Sequence, residues 1–352
     1  MSVGYVTVQW TRSKRVYDFV IAGGVLAYLA VFFAIGKLTW GGQQAISDEI
    51  LLIRALATCA ITLLHIVLCI GPLARLSPRF LPLLYNRRHL GVTTFLVAAL
   101  HGLVVLGYYH GFGRVNPLVS LFTNDIDFLV AGSLPFQILG VAALVILAVL
   151  AATSHDFWLK NLSARTWKSI HMSVYACYAL VIAHVAFGAL QSERSTIYPI
   201  LLAVGVTTVT ALHCAAGLKE RRIDSRSSPA IAWVDLGDCR EIPDGRAKSV
   251  RVAGQPRIAV FRSGDCISVV RGVCAHQGGP LAEGRIIDGC ITCPWHGWQY
   301  RPADGQSPPP FQEKIVTYQL HNHIGRVMLD PAPLPPGTHV EPARIGSPSD
   351  VN

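Results

Sequence analysis

Long apolar runs separated by short charged interruptions fill the first two thirds of the chain. Six of them, at residues 17–36, 51–71, 90–109, 134–153, 168–190 and 197–218, match the roughly 20 helical residues needed to cross about 30 Å of hydrocarbon. The first run is too long for a signal peptide, and no small-residue cleavage site ends it. From about residue 219 the pattern changes. AIAWVDL, KSVRVAG, RIAVFRSG, CISVVRGV and GCITC are short strand-like stretches, and KIVTYQLHNHIGRVML reads as a hairpin around His323–Gly325. Their alternation, broken by Gly and Asn turns, predicts a small antiparallel β domain. The expected order is a tail (1–16), a six-helix membrane bundle (17–218), a basic linker (219–229), an all-β domain (230–330) and a Pro-, Gly- and Ser-rich tail (331–352) expected to be disordered.

Composition sharpens this division. The 352 residues are 51% hydrophobic and only 14% charged, against about 25% charged in an ordinary soluble domain. The net charge of +9 gathers at the ends of apolar runs, which is membrane topology and not a nucleic-acid-binding face. Fourteen Lys and Arg lie in the N-terminal tail and after spans 2, 4 and 6, whereas the alternate loops hold Lys37, Arg114 and Arg194. Such a bias places both termini and the β domain in the cytoplasm, with the bundle in the inner or plasma membrane. Arg54 and Asp18 lie near span ends, within reach of the interface. Cys59, Cys69, Cys177 and Cys214 stand singly in apolar runs, as small buried hydrophobes.

Histidines interrupt the spans: His65 in the second, His101 in the third, His171 and His184 in the fifth and His213 in the sixth, with His89 and His110 flanking the third. One intramembrane histidine is accounted for by an interhelical hydrogen bond. Five, with almost no intramembrane carboxylate, fit haem held by imidazole pairs from facing helices better than a proton pathway. At about 1.5 Å per residue, His101 and His184 lie at similar depths and form one candidate pair. His171 lies near the cytoplasmic face, where His65 and His213 are candidate partners for a second haem. His171 and His184 are 13 residues apart, so their rings cannot share one face of a straight helix, and a tilt, kink or bulge is required.

RRHLGVTTFLVAALHGLVV (87–105) and TWKSIHMSVYACYALVIAHVAFGAL (166–190) resemble the ferric-reductase-like transmembrane family over roughly residues 50–218. That family includes NADPH oxidases and the membrane haem subunit that feeds periplasmic methionine sulfoxide reductase. The resemblance implies b-type haem on His101, His171 and His184. It points to one haem rather than two, because Arg114 and Val115 stand where a second span-3 histidine would fall. His65 lies outside the pattern.

The β domain carries CAHQGGPLAEGRIIDGCITCPWH (274–296). Two thiolates and two imidazoles, as Cys-x-His and Cys-x-x-His, suit Zn²⁺ or a [2Fe–2S] cluster with two Cys on one iron and two His on the other. The tight loops made by Gly278, Gly279, Pro280, Pro294 and Gly297 can aim backbone N–H groups at bridging sulfides, which favours the cluster. CAH…CPWHGW resembles the Rieske ferredoxin family over about 100 residues. The resemblance implies Cys274, His276, Cys293 and His296 as ligands. Cys290 reads as a strand residue beside the loop, and Cys239 and Cys266 as packing residues. Gly279 and Trp295 occupy the positions of the disulfide of high-potential members, and Trp298 that of their serine. Tyr300 remains to bond a cysteine sulfur. Fewer bonds to sulfur imply a low to intermediate potential, and the missing disulfide suits a reducing cytoplasm.

The expectation is a membrane electron-transfer protein, an oxidoreductase component rather than a complete enzyme. A ferredoxin or flavin reductase would supply single electrons to the cluster. Haem would pass them to quinone, a ferric chelate, oxygen or a periplasmic protein. No GxGxxG nucleotide-binding motif is present in the 352 residues. The alternatives are a non-catalytic membrane-anchored redox sensor or assembly partner, and an oxygenase electron-transfer component. An oxygenase centre needs mononuclear iron on two His and a carboxylate, and beyond the loops only His321, His323 and His339 remain.

Overall fold

The computed structural model describes residues 12–39, 46–84, 86–123, 136–155, 157–158, 162–192, 195–225, 233–276, 278–295, 297–323 and 326–345. Residues 1–11, the segment 226–232, His296, Gly325 and the final residues 346–352 lie outside the described residues.

All six spans form helices long and apolar enough to cross a membrane. They are α1 (Arg12–Thr39), α2 (Asp48–Leu76), α3 (Arg87–Val105), α4 (Phe136–Thr153), the pair α5 (Ala164–Met172) and α6 (Val174–Phe187), and α7 (Ile197–Ser225). A π turn, Leu106–His110, extends α3. Helix α5 starts at Ser163, whose side chain accepts a hydrogen bond from the Thr166 amide, satisfying one of the otherwise unpaired first-turn N–H groups.

The fifth span is broken at Ser173, two residues beyond His171. The Ser173 amide and hydroxyl both donate to the Ile170 carbonyl, at 3.0 and 2.6 Å. Thirteen residues turn an ideal helix through about 220° beyond whole turns. Each residue wound as tightly as a 3₁₀ turn adds about 20°, so the break narrows the offset between His171 and His184 without abolishing it.

Two compact units are present. One contains residues 10–70 and 86–212, and the other groups 71–85 with 213–352. In the first, Cys177 of α6 is fully buried with Ala143 and Leu147 of α4 and donates to the Ala143 carbonyl at 3.5 Å. Leu56 and Cys59 of α2 pack with Val97 of α3, flanked by Val25 and Tyr28 of α1. Phe19, Leu26, Leu103 and Leu201 are exposed, as expected of side chains that meet lipid.

Among the described residues the β domain has three antiparallel sheets. Strands β2 (Ala247–Val250), β3 (Ile258–Ser263), β4 (Cys266–Arg271) and β10 (Ala343–Arg344) lie in the order β10-β4-β3-β2. β1 (Val234–Asp235), β8 (Tyr318–His323) and β9 (Arg326–Pro333) lie in the order β1-β9-β8. β5 (Arg285–Ile287), β6 (Cys290–Thr292) and β7 (Gln299–Tyr300) form the third. Strand β3 is buried on both faces. Ile258 and Val260 enter one core with Ile267, Val269 and Leu329, while Ala259 and Phe261 enter a second core with Cys274, Cys293 and Tyr300. The two-residue period of the strand thus links the main core to the paired cysteines.

Two expected boundaries are corrected. The chain from 331 to 345 is folded rather than a disordered tail. Residues 331–333 belong to β9, and β10 pairs with the edge of β4 at Ala343↔Ile267. The Leu334, Val340 and Ile345 amides bond the Thr317, Ala303 and Asp265 carbonyls. A segment too polar for a core of its own still orders when its backbone completes an existing sheet. The linker is also shorter than expected, because Lys219, Glu220, Arg221 and Arg222 continue α7 to Ser225, and such residues favour helix.

Candidate functional site

The two cysteine loops are built alike. In the first, the Gly278 amide bonds the Cys274 carbonyl (2.9 Å) and the Cys274 amide bonds the Gly279 carbonyl (2.8 Å). In the second, the Gly297 amide bonds the Cys293 carbonyl (3.0 Å) and the Cys293 amide bonds the Trp298 carbonyl (2.8 Å). Gly278 and Gly297 both have φ of +72°, the left-handed region that only glycine enters without strain. Each loop therefore needs its glycine four residues after its cysteine. Cys274 and Cys293 are 3% and 1% exposed and share one buried cluster with Trp298 and Tyr300.

Tyr300, fully buried, ties the first loop together. Its hydroxyl accepts from the Ala275 and His276 amides at 3.0 and 3.3 Å and lies 3.2 Å from Cys274 Sγ. With both lone pairs engaged, its one proton is directed to the sulfur. Burial, reinforced by the neighbouring Cys274, holds this phenol well above its ordinary range, so it stays protonated and can donate. The His276 ring stacks on Trp298 at 4.1 Å and 7°, and Trp298 Nε1 donates to Ser307 Oγ at 3.0 Å. Burial lowers the His276 pKa to about 4, which keeps the imidazole neutral and able to bind metal. A Cβ on Gly279 would lie 2.7 Å from Cys293 Sγ and 3.2 Å from the Trp295 ring. Trp295 thus lies against Gly279, between the two cysteine loops. Cys290 begins β6, opposite Ile287. It is outside the core that holds Cys274 and Cys293, and burial raises its thiol pKa. Two buried thiols, a neutral imidazole and a phenol aimed at sulfur fit an iron–sulfur cluster.

In the membrane helices, His101 lies on α3 and His184 on α6, and each bonds a backbone carbonyl of a different helix. His101 Nδ1 bonds the Ile53 carbonyl at 3.2 Å and His184 Nδ1 bonds the Phe136 carbonyl at 2.7 Å. A proton held on Nδ1 leaves the Nε2 lone pair available to a metal. Gly140 leaves room for His184, since a Cβ there would lie 2.8 Å from two ring atoms. His171 packs against Trp167, ring centres 3.9 Å apart. Its buried Nε2 has no hydrogen-bond partner among the described residues, an arrangement suited to an external ligand. Two half-buried imidazoles, each holding a carbonyl through Nδ1, and a His171 Nε2 with no partner among the described residues are a donor set that fits haem.

His65 is arranged differently. Its Nδ1 bonds the Ile61 carbonyl at 2.7 Å and its Nε2 bonds Tyr178 hydroxyl at 3.0 Å, so both nitrogens are engaged. His213 lies half-buried on α7. His110 is buried between Ser120 and Gln137, and His89 pairs with Asp18 at 2.6 Å. Sequence reasoning missed Tyr178, Gly140 and the contact of Trp295 with Gly279. A glycine in an apolar run and an intramembrane tyrosine were the available signals, but neither indicates its partner.

Comparison with known proteins agrees with both parts. The Rieske [2Fe-2S] domain family matches residues 232–319, and the ferric reductase like transmembrane component matches 56–182. The anthranilate 1,2-dioxygenase ferredoxin subunit of Burkholderia cepacia is 42% identical over 96 residues, 27% of this chain and 88% of that protein. The protein-methionine-sulfoxide reductase heme-binding subunit MsrQ of Bordetella pertussis is 34% identical over 134 residues, 38% of this chain and 59% of that protein. Cholesterol 7-desaturase nvd 1 of Ciona intestinalis is 38% identical over 105 residues, 28% of this chain. The chain spans only 22% and 23% of the length of the desaturases it matches. Among solved structures, Sphingomonas yanoikuyae B1 ferredoxin is 27% identical with a TM-score of 0.26, covering 28% of this chain and 98% of that one.

Proposed function

Because the chain belongs to the Rieske [2Fe–2S] family and carries a ferric-reductase-like transmembrane component, we propose that this multi-pass membrane electron-transfer protein moves single electrons between a cytoplasmic donor, a Rieske cluster and b-type haem. The acceptor is quinone or a species at the outer face. In this reading Cys274, His276, Cys293 and His296 hold the cluster. His101 and His184 hold haem, with His171 at the inner side, and both termini lie in the cytoplasm of a cell with this protein in its inner or plasma membrane. When bound, the two groups supply one-electron storage.

The chain's own residues set the conditions. Tyr300 donates to a ligand sulfur, Trp298 orients His276, and the Ile53 and Phe136 carbonyls fix the tautomers of the His101 and His184 imidazoles. The observation that carries the reading is that His101 and His184 each hold a backbone carbonyl through Nδ1, in the same chain as the matched cysteine loops. His65, with both nitrogens engaged, has a structural role in this reading and leaves one haem as the favoured count. The likeness to desaturases covers 22% and 23% of their length and brings no substrate with it.

Purified protein should show a Rieske signal by electron paramagnetic resonance and a b-type haem spectrum. A flavin reductase or ferredoxin should reduce the haem quickly in the parent and slowly in Cys293→Ser. Haem that reduces equally fast without the cluster, or a bundle free of haem, would overturn the proposal.

A further inference from the structure

Two ion pairs join the β domain to helix ends in the same compact unit. Arg75, in the last turn of α2, pairs with Glu283 at 3.3 Å, and Glu220 of α7 pairs with Arg257. Between them, Lys219 of α7 donates to the Arg75 and Leu76 carbonyls at 2.6 and 3.3 Å. It places a cation on the carbonyl end of α2, where the helix dipole favours one.

The contact points on the β domain are specific. The Arg257 carbonyl accepts from the Gly272 amide at 2.7 Å, two residues before Cys274. A Cβ on Gly272 would lie 2.6 Å from that carbonyl, so the two backbones are in close contact. Glu283 ends the 3₁₀ turn Leu281–Glu283 that continues the first cysteine loop. Leu281, fully buried, returns its amide to the Gly272 carbonyl at 2.9 Å. Arg257 and Glu283 therefore flank the base of the Cys274 loop from both sides. The helix ends thus hold two residues that flank the Cys274 loop, one bonded to Gly272 and one in the turn that follows the loop.

We propose that Arg75–Glu283 and Glu220–Arg257 form an ionic mount that fixes the Cys274–Pro280 loop to the ends of α2 and α7. Arg75, Glu220, Arg257 and Glu283 are positioning residues for electron transfer out of the domain. The proposal rests on the electron-transfer reading above only for its kinetic consequence. The mount itself is a matter of which groups touch.

Half-exposed pairs contribute up to about 1 kcal/mol each, so losing one shifts the docked population by roughly two- to fivefold. Glu283→Gln and Arg75→Gln should slow haem reduction by roughly that factor, with cluster signal and haem content unchanged. The parent should slow as salt rises, and the single variants should be less sensitive to it. The swapped pair Arg75→Glu with Glu283→Arg should recover most of the parental rate, which a merely structural role would not predict. Independently of haem, a short bis-maleimide should link Arg75→Cys to Glu283→Cys in native membranes, read as a joined peptide by mass spectrometry and absent from the parent. Failure of that link, or a rate indifferent to both charge and salt, would overturn the mount. A linked peptide in a protein without haem would support the mount and overturn the electron-transfer reading instead.

Discussion

Tyr300→Phe removes one oxygen from a fully buried site and changes three bonds at once. The hydroxyl stands 3.2 Å from Cys274 Sγ, with its lone pairs facing the Ala275 and His276 amides at 3.0 and 3.3 Å. A hydrogen bond to a charged group is worth about 1.5–3 kcal/mol. The bond to sulfur is stronger when the cluster is reduced, because the sulfur is then more negative. Taking a third to a half of that energy as the difference gives about 1 kcal/mol, or roughly 40 mV for one electron. The potential should fall, since the reduced form loses more. The same variant strands two partly exposed amides, costing about 1–2 kcal/mol of domain stability. Redox titration followed by electron paramagnetic resonance measures the first effect, and thermal melting the second. The shift should be independent of pH across the neutral range, because the phenol stays protonated there. An unchanged or raised potential in a fully loaded variant would show that the proton does not point at Cys274.

Gly140→Ala should weaken haem retention, because its methyl would meet the His184 ring at 2.8 Å; overpacking of this kind costs about 1–3 kcal/mol, and a haemochrome assay per protein reads it. His65→Gln should leave haem content unchanged, since both His65 nitrogens are engaged by Ile61 and Tyr178; halved haem would show instead that His65 is a ligand. In cluster-free protein the folded His276 pKa of about 4 lies below its ordinary 6.5, so the unfolded chain takes up more protons between those values. The melting temperature of the β domain should therefore fall as pH drops from about 6.5 towards 4 and level off below. His276→Phe should remove that component, and an unchanged profile would argue against burial as its origin.

The six spans were legible because hydrocarbon thickness sets a length that each apolar run meets on its own. The cluster loops were legible for a related reason. Cys-x-His and Cys-x-x-His place ligands within a few residues, and the glycine four residues after each cysteine is a local demand of backbone geometry. Cys290 instead begins β6 opposite Ile287, outside the core that holds Cys274 and Cys293.

Long-range pairing was not legible. Strands β5 and β7 have three and two residues, too few to show a period, and exist because β6 lies between them. Strand β10 pairs with β4 across more than seventy residues, so its Pro-rich surroundings read as disorder. His65 and His101 look alike in the sequence, as histidines in apolar helices. One has its Nε2 engaged by Tyr178, 113 residues away, while the other, among the described residues, bonds Ile53 through Nδ1. Residue type and local spacing determined which groups could bind metal. Tertiary packing decided which nitrogen atoms were left to do so, because a partner brought in from another helix leaves no trace in the local sequence.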